Sequence, residues 1–177
     1  LAGPVVAAAV ILPKNFRCPE LDDSKKLSLK KRLELRTTIE KKAIAFAVSF
    51  IDHEKIDEIN ILNASFLGMS KSVKQLNQQP DLLLIDGNRF KSDLNIPFEC
   101  IIKGDGKFKS IAAASILAKT YRDEYMEKMH DQYPAYDWKQ NKGYPTKKHR
   151  EAIKKVGLSP IHRLSFRQTE EQLKLEF

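Results

Sequence analysis

Two aspartates each close an apolar run: LLLI leads into Asp86, and CII followed by Lys103-Gly104 leads into Asp105. A carboxylate placed directly after a buried run is costly unless it is paired or bound to a cation. Gly87 follows the first aspartate, and Gly104 and Gly106 flank the second. Glycine lets the backbone turn sharply or approach a ligand closely. Hard divalent cations take oxygen ligands and need few protein carboxylates beside water and substrate phosphate. Two such ions can activate water and stabilise a leaving oxygen in phosphodiester cleavage. Asp86 and Asp105 therefore read as metal ligands of a phosphodiester-cleaving site. The alternative is that each is an Asx-turn or cap residue. Asp123 lies four residues after Lys119, so an i,i+4 ion pair is its plain reading. It also shares a helical face with Ala112 and Ile116, and ranks as a secondary carboxylate.

Other residues suit contact with a polyanion. The net charge is +8 at 177 residues, which favours a nucleic-acid partner. Lys25 to Lys42 holds eight basic and two acidic residues, and Lys139 to Lys155 holds seven basic and one acidic. Each block could line a nucleic-acid groove or be a solvated helix face. Ser24 and Lys25 stand in a polar loop at a helix start, a place suited to phosphate. Tyr144 sits between Gly143 and Pro145 in a basic loop and offers a ring that can stack on a base or sugar. Its alternative is a surface tyrosine packed on its own turn. His149 and His162 lack zinc-ligand spacing and are expected to be structural, with His162-Arg163 a possible cap or phosphate contact. Cys18 and Cys100 are expected to stay reduced. No Walker, dinucleotide-binding or Ser-His-Asp pattern is present. No apolar run approaches the ~18 residues of a membrane span, and no charged segment precedes the first apolar run, so no secretory signal is expected; the expected setting is the cytoplasm and the expected state a monomer.

These residues need a scaffold. Pro4–Leu12 and Ala43–Ile51 read as buried strands, as do Asp81–Asp86 and Phe98–Lys103. Leu29–Lys42 reads as a helix capped by Ser28, with Leu29/Leu33 and Leu35/Ile39 as apolar pairs. One helical turn is expected over Asp52–Asn60 and a helix over Asn60–Leu76. Its apolar face is Leu62, Phe66, Met69, Val73 and Leu76. Lys109–His130 is the longest helix. Thr146 should cap a short basic helix, Lys147–Val156, stopped by Gly157. One more helix is expected after Ile161. Strands alternating with helices make the fold α/β, with a helical C-terminal part.

In this order and spacing the segments resemble the type 2 ribonucleases H, specifically the bacterial ribonuclease HII family. The matching stretches are LAGPVVAAAVIL (1–12), DSKKLS (23–28), IDEINILNA (56–64), LLIDGN (83–88), KGD (103–105), SIAAASILAKTYRDE (110–124), KGYPTKKH (142–149) and HRLSF (162–166). The resemblance implies a ribonuclease H-like mixed sheet flanked by helices, with a core over 1–132 and a helical substrate-binding part over 133–177. It implies endonucleolytic cleavage of RNA in RNA/DNA hybrids and of single ribonucleotides in duplex DNA, leaving 5′-phosphate and 3′-hydroxyl ends. It implies Mg²⁺ or Mn²⁺ held by an Asp-Glu-Asp-Asp set, with Asp86 third and Asp105 fourth, and Asp123 a further acidic position. Tyr144 matches the tyrosine that stacks on the sugar at the RNA–DNA junction, and Ser24 and Lys25 match a substrate-contacting loop.

One departure stands against the family pattern. The family's first Asp-Glu pair and its Gly-Arg-Gly loop lie just ahead of LAGP, where this sequence begins. The central first strand would lie there too. The expectation is that this polypeptide, taken as complete, is inactive or nearly so, and that a parent enzyme carries the missing segment. The alternative function is a non-catalytic module that binds RNA/DNA hybrids.

Overall fold

The structure is a computed structural model that describes residues 1–21 and 27–168. Its strands are β1 (Val5–Ile11), β2 (Ala45–Ile51), β3 (Leu83–Asp86) and β4 (Phe98–Ile101). Its helices are α1 (Leu29–Lys42), α2 (His53–Lys74), α3 (Lys109–Gln132), α4 (Trp138–Asn141) and α5 (Lys147–Val156). β1 pairs with β2, and β3 pairs with β4. The chain divides into two compact units. One holds residues 6–50 and 65–121; the other holds 1–5, 51–64 and the chain from 122 onward.

In the first unit, one core gathers Cys18, Leu21, Leu35 and Ile39 with Ala112, Ala113, Ile116 and Leu117. Ala8, Val10 and Leu12 of the β1 segment pack on it, while Ala9 packs on a second core of Val73, Leu83, Ile85 and Phe90. Alternate residues of a strand point to opposite faces, so β1 serves both cores. The small side chains at the start of α3 allow this close packing. Leu117 is fully buried, and its truncation to alanine should cost ~2–5 kcal/mol. Ser28 caps α1 as expected, its Oγ accepting from the Lys31 amide at 3.3 Å. Only Leu35 and Ile39 are buried on that helix; Leu29 and Leu33 are exposed. Steps of 100° per residue place the two pairs on different faces, and one face alone meets the core.

The segment expected as one helical turn and then a helix is α2, two helical stretches that meet at a kink at Asn60, where φ is 66°. Asn60 Oδ1 accepts from the amides of Leu62 and Asn63 at 3.0 and 3.1 Å, so it acts as an internal N-cap. β4 is more exposed than its apolar sequence implies, with Phe98 46% accessible. Its one described neighbour strand is β3.

In the second unit, Leu1, Ala2, Met126, Tyr136, Trp138 and Ile153 form the core. Ala2 bridges His162 in antiparallel fashion. Asp57 ties the chain after this bridge, accepting from the amides of Leu164 and Ser165 at 2.7 and 3.0 Å and from the Ser165 hydroxyl. Thr146 caps α5 and Gly157 ends it with φ 80°, both as the sequence indicates. The helix expected after Ile161 does not occur up to residue 168; the rest of that expectation lies outside the described residues.

Candidate functional site

The carboxylate edge is built by β3 and β4. They run parallel, with Asp86 opposite Ile101, so both chains leave the sheet at the same edge. Asp86 is the last residue of β3 and its side chain is exposed. Past β4 the chain passes through Lys103 in a left-handed conformation, φ 55°, into a single 3-10 turn, Gly104–Gly106. Asp105 sits in that turn and is 5% accessible. The Gly104 amide donates to Asp86 Oδ1 at 2.9 Å, which joins the two strand ends. A Cβ on Gly104 would lie 2.5 Å from Ile111 Cδ1 and 3.4 Å from Asp86 Oδ1, so a side chain here would crowd the joint. Among the described residues, no group of three or more His, Cys, Asp or Glu side chains is arranged to hold a metal ion. Asp86 and Asp105 supply two carboxylates, the donor type that a hard cation takes.

Asp123 and Tyr144 belong to the second unit. Asp123 is 7% accessible on α3, so it is no solvated charge, and its neighbour in the field is Arg122. Tyr144 follows the turn after α4 and is 53% accessible. Gly143 carries φ 80°, and a Cβ there would lie 2.7 Å from the Ala2 carbonyl oxygen. The Tyr144 amide donates to the Asn141 carbonyl at 2.8 Å, and its own carbonyl accepts from the Thr146 amide at 2.8 Å. The Arg122 guanidinium lies 5.2 Å from the Tyr144 ring centroid, within cation–π range. Ser24 and Lys25 lie outside the described residues.

Sequence reasoning missed two features around Tyr144. Arg122 donates to the carbonyls of Pro4, Lys142 and Ala2 at 3.1, 2.7 and 3.2 Å. Arg163 donates to Gly3 and Pro4 at 2.9 and 3.2 Å. Two guanidiniums thus fasten the Ala2–Pro4 and Lys142 segments through carbonyls. Burial, then the nearby Arg122 charge, brings Arg163 down to about 10. The second feature is a buried pair, His149 and His162, beneath the tyrosine loop. Burial lowers the pKa of His149; burial and then the adjacent His149 lower His162 to about 4. Both rings are neutral at pH 7. The structural role expected for the two histidines agrees with this placement, but their pairing had no local sequence signal.

Comparison with known proteins bears on the whole chain. The family model for ribonuclease HII matches residues 1–169. The ribonuclease HII of Christiangramia forsetii is 59% identical over 177 residues, covering 100% of this chain and 89% of that protein. The solved ribonuclease H2 of Pyrococcus horikoshii OT3 has a TM-score of 0.73 at 23% identity, covering 98% of this chain and 94% of the other. Bst-RNase HIII, solved in complex with Mn²⁺, has a TM-score of 0.71 at 19% identity, covering 98% of this chain and 65% of the other. The two structures speak for the fold, which is ribonuclease H-like as expected. The family match and the 59% identity say more: the chain belongs to the ribonuclease HII family, the type 2 ribonucleases H.

Proposed function

We propose that this protein is an endoribonuclease that cleaves the RNA strand of RNA/DNA hybrids and single ribonucleotides embedded in duplex DNA. The observation that carries the reading is the joined pair of strand ends bearing Asp86 and Asp105, in a chain of the ribonuclease HII family. These two carboxylates would hold Mg²⁺ or Mn²⁺. When bound, the cation supplies acidified water and charge neutralisation at phosphate. The Gly104 amide orients Asp86. Water adds to the phosphorus on the 5′ side of the ribonucleotide and the P–O3′ bond breaks. The departing oxygen takes a proton, leaving 5′-phosphate and 3′-hydroxyl ends.

The remaining residues bring substrate. Tyr144, exposed at its loop, stacks on the sugar at the RNA–DNA junction and senses the 2′-hydroxyl. Ser24 and Lys25 contact the nucleic-acid backbone, and Asp123 is a secondary acidic group. In this reading residues 1–132 form the core and 133–177 the substrate-binding part, acting as a cytoplasmic monomer. No helix among the described residues is long and apolar enough to cross a membrane.

The test compares the 177-residue polypeptide with a form carrying the family's Asp-Glu segment ahead of Leu1. Substrates are a hybrid, a duplex with one ribonucleotide, and an all-DNA duplex, each with Mg²⁺ or Mn²⁺. Metal-dependent cleavage of the first two by the longer form is expected, with little or none by the 177-residue form. If Asp86→Asn leaves the longer form's cleavage intact, the catalytic assignment fails. Hybrid binding without cleavage by either form would favour the binding module instead.

A further inference from the structure

His149 holds Tyr144 from the buried side. Its Nδ1 lies 2.9 Å from the Tyr144 carbonyl oxygen. A carbonyl only accepts, so Nδ1 carries the proton and donates. His149 Nε2 accepts from Trp138 Nε1 at 3.0 Å and faces His162 Nε2 at 3.1 Å. His162 accepts at Nδ1 from the Ser159 amide at 2.9 Å, which leaves its Nε2 as the protonated nitrogen pointing at His149. Two donors therefore meet His149 Nε2, and a proton there would orphan both. Trp138 and His149 are 0% accessible and His162 is 1%, so water does not compete. The tautomer of His149 is set from behind and its Nδ1–H is committed to the tyrosine loop.

We propose that His149 is a positioning residue for Tyr144: its Nδ1–H fixes the Tyr144 carbonyl and so aims the exposed ring at the ribonucleotide. This rests on Tyr144 contacting the ribonucleotide. The backbone supports such leverage. Gly143 ahead of the tyrosine is at φ 80° against the Ala2 carbonyl, and the Thr146 amide behind it also donates to the Tyr144 carbonyl. Releasing His149 frees one of the holds on a side chain whose ring is itself exposed.

The test reads binding, not turnover. The affinity of the full chain is measured for a DNA duplex with one ribonucleotide and for the all-DNA duplex, together with Tm for each variant. An asparagine at 149 can place its amide where Nδ1 stood, whereas glutamine mimics the Nε2 position. Tyr144→Ala should reduce the preference for the ribonucleotide. His149→Gln should reduce it about fivefold, the worth of one hydrogen bond, and add nothing further in the Tyr144→Ala background. His149→Asn should keep the preference despite a lower Tm. His162→Ala should do the same, since Trp138 still sets the tautomer. The proposal is overturned if His149→Gln keeps the preference, or if all three histidine variants lose it in step with Tm. If Tyr144→Ala itself changes nothing, the reading of Tyr144 fails first and separately. Should the glutamine variant not fold, nitrogen-15 spectra of the unmodified chain decide: Nδ1-protonated His149 is required, and an Nε2-protonated ring refutes it.

Discussion

The amide of Gly104 donates to Asp86 Oδ1 at 2.9 Å, so the turn that carries Asp105 also orients the carboxylate ending β3. Asp86→Asn keeps the shape and can still accept through its amide oxygen, but it removes the charge a cation needs. In the longer form, cleavage of a hybrid should fall more than ~100-fold, since even outer partners of metal ligands cost ~10–100-fold when lost. Hybrid affinity measured without metal should stay near the parent value. Asp105→Asn should behave likewise, and added Mn²⁺ should restore part of either loss.

The tyrosine loop gives a prediction in stability. Gly143 adopts φ 80°, and a Cβ added to it would lie 2.7 Å from the Ala2 carbonyl oxygen and 3.1 Å from Met126 Cε. Alanine in a left-handed conformation costs ~1–2 kcal/mol, and the backbone clash adds to it. Gly143→Ala should therefore lower Tm by several degrees and weaken the preference for a ribonucleotide-containing duplex, because Tyr144 is the next residue. A wild-type Tm in that variant would mean the loop shifts at no cost.

Much of this architecture is legible in the chain. Ser28 and Thr146 announce the starts of α1 and α5 through their hydroxyls, and both caps form. The runs before Asp86 and Asp105 become strands because they are short, apolar and bounded by turn residues. Periodicity does not say which of two apolar pairs on α1 meets the core, because either face is compatible with a helix. Run length does not distinguish an exposed strand from a covered one, so the apolar sequence of β4 reads as buried although the strand is largely open. His149 and His162 meet across 13 positions through side-chain nitrogens, and no local pattern encodes such a contact. The carbonyl clamps of Arg122 and Arg163 are equally non-local.

The buried histidines predict acid sensitivity. His162 is lowered from 6.5 to about 4 by burial and then by its neighbour His149, and His149 is lowered chiefly by burial. Below pH 6.5 the unfolded chain binds protons that the folded chain refuses. Stabilisation from His162 is therefore complete above pH ~6.5 and is lost as pH falls toward about 4, on the order of 3 kcal/mol across that window. Urea unfolding from pH 7.5 to 4 should show this decline. His162→Gln should be less stable at neutral pH yet decline less steeply, because carboxylate titration remains but this imidazole does not. An unchanged slope in that variant would remove His162 as its source.

The basic face of α5 predicts a salt response. Lys148 and Lys155 are exposed on a helix whose buried residues are His149 and Ile153, so their charge serves neither the core nor the histidine pair. Each lysine that neutralises a phosphate releases counterions, and its loss lowers the slope of log affinity against log salt by about 1. Lys148→Gln and Lys155→Gln should each weaken hybrid binding at low salt and flatten that slope. The effect should be equal for ribonucleotide-containing and all-DNA duplexes, because phosphate contacts carry no information about the sugar. Tm should move little, since surface changes away from special contacts usually lie within ~0.5 kcal/mol. Unchanged slopes would place the duplex away from α5, and a change confined to the ribonucleotide substrate would mean these lysines act through Tyr144 rather than on the backbone.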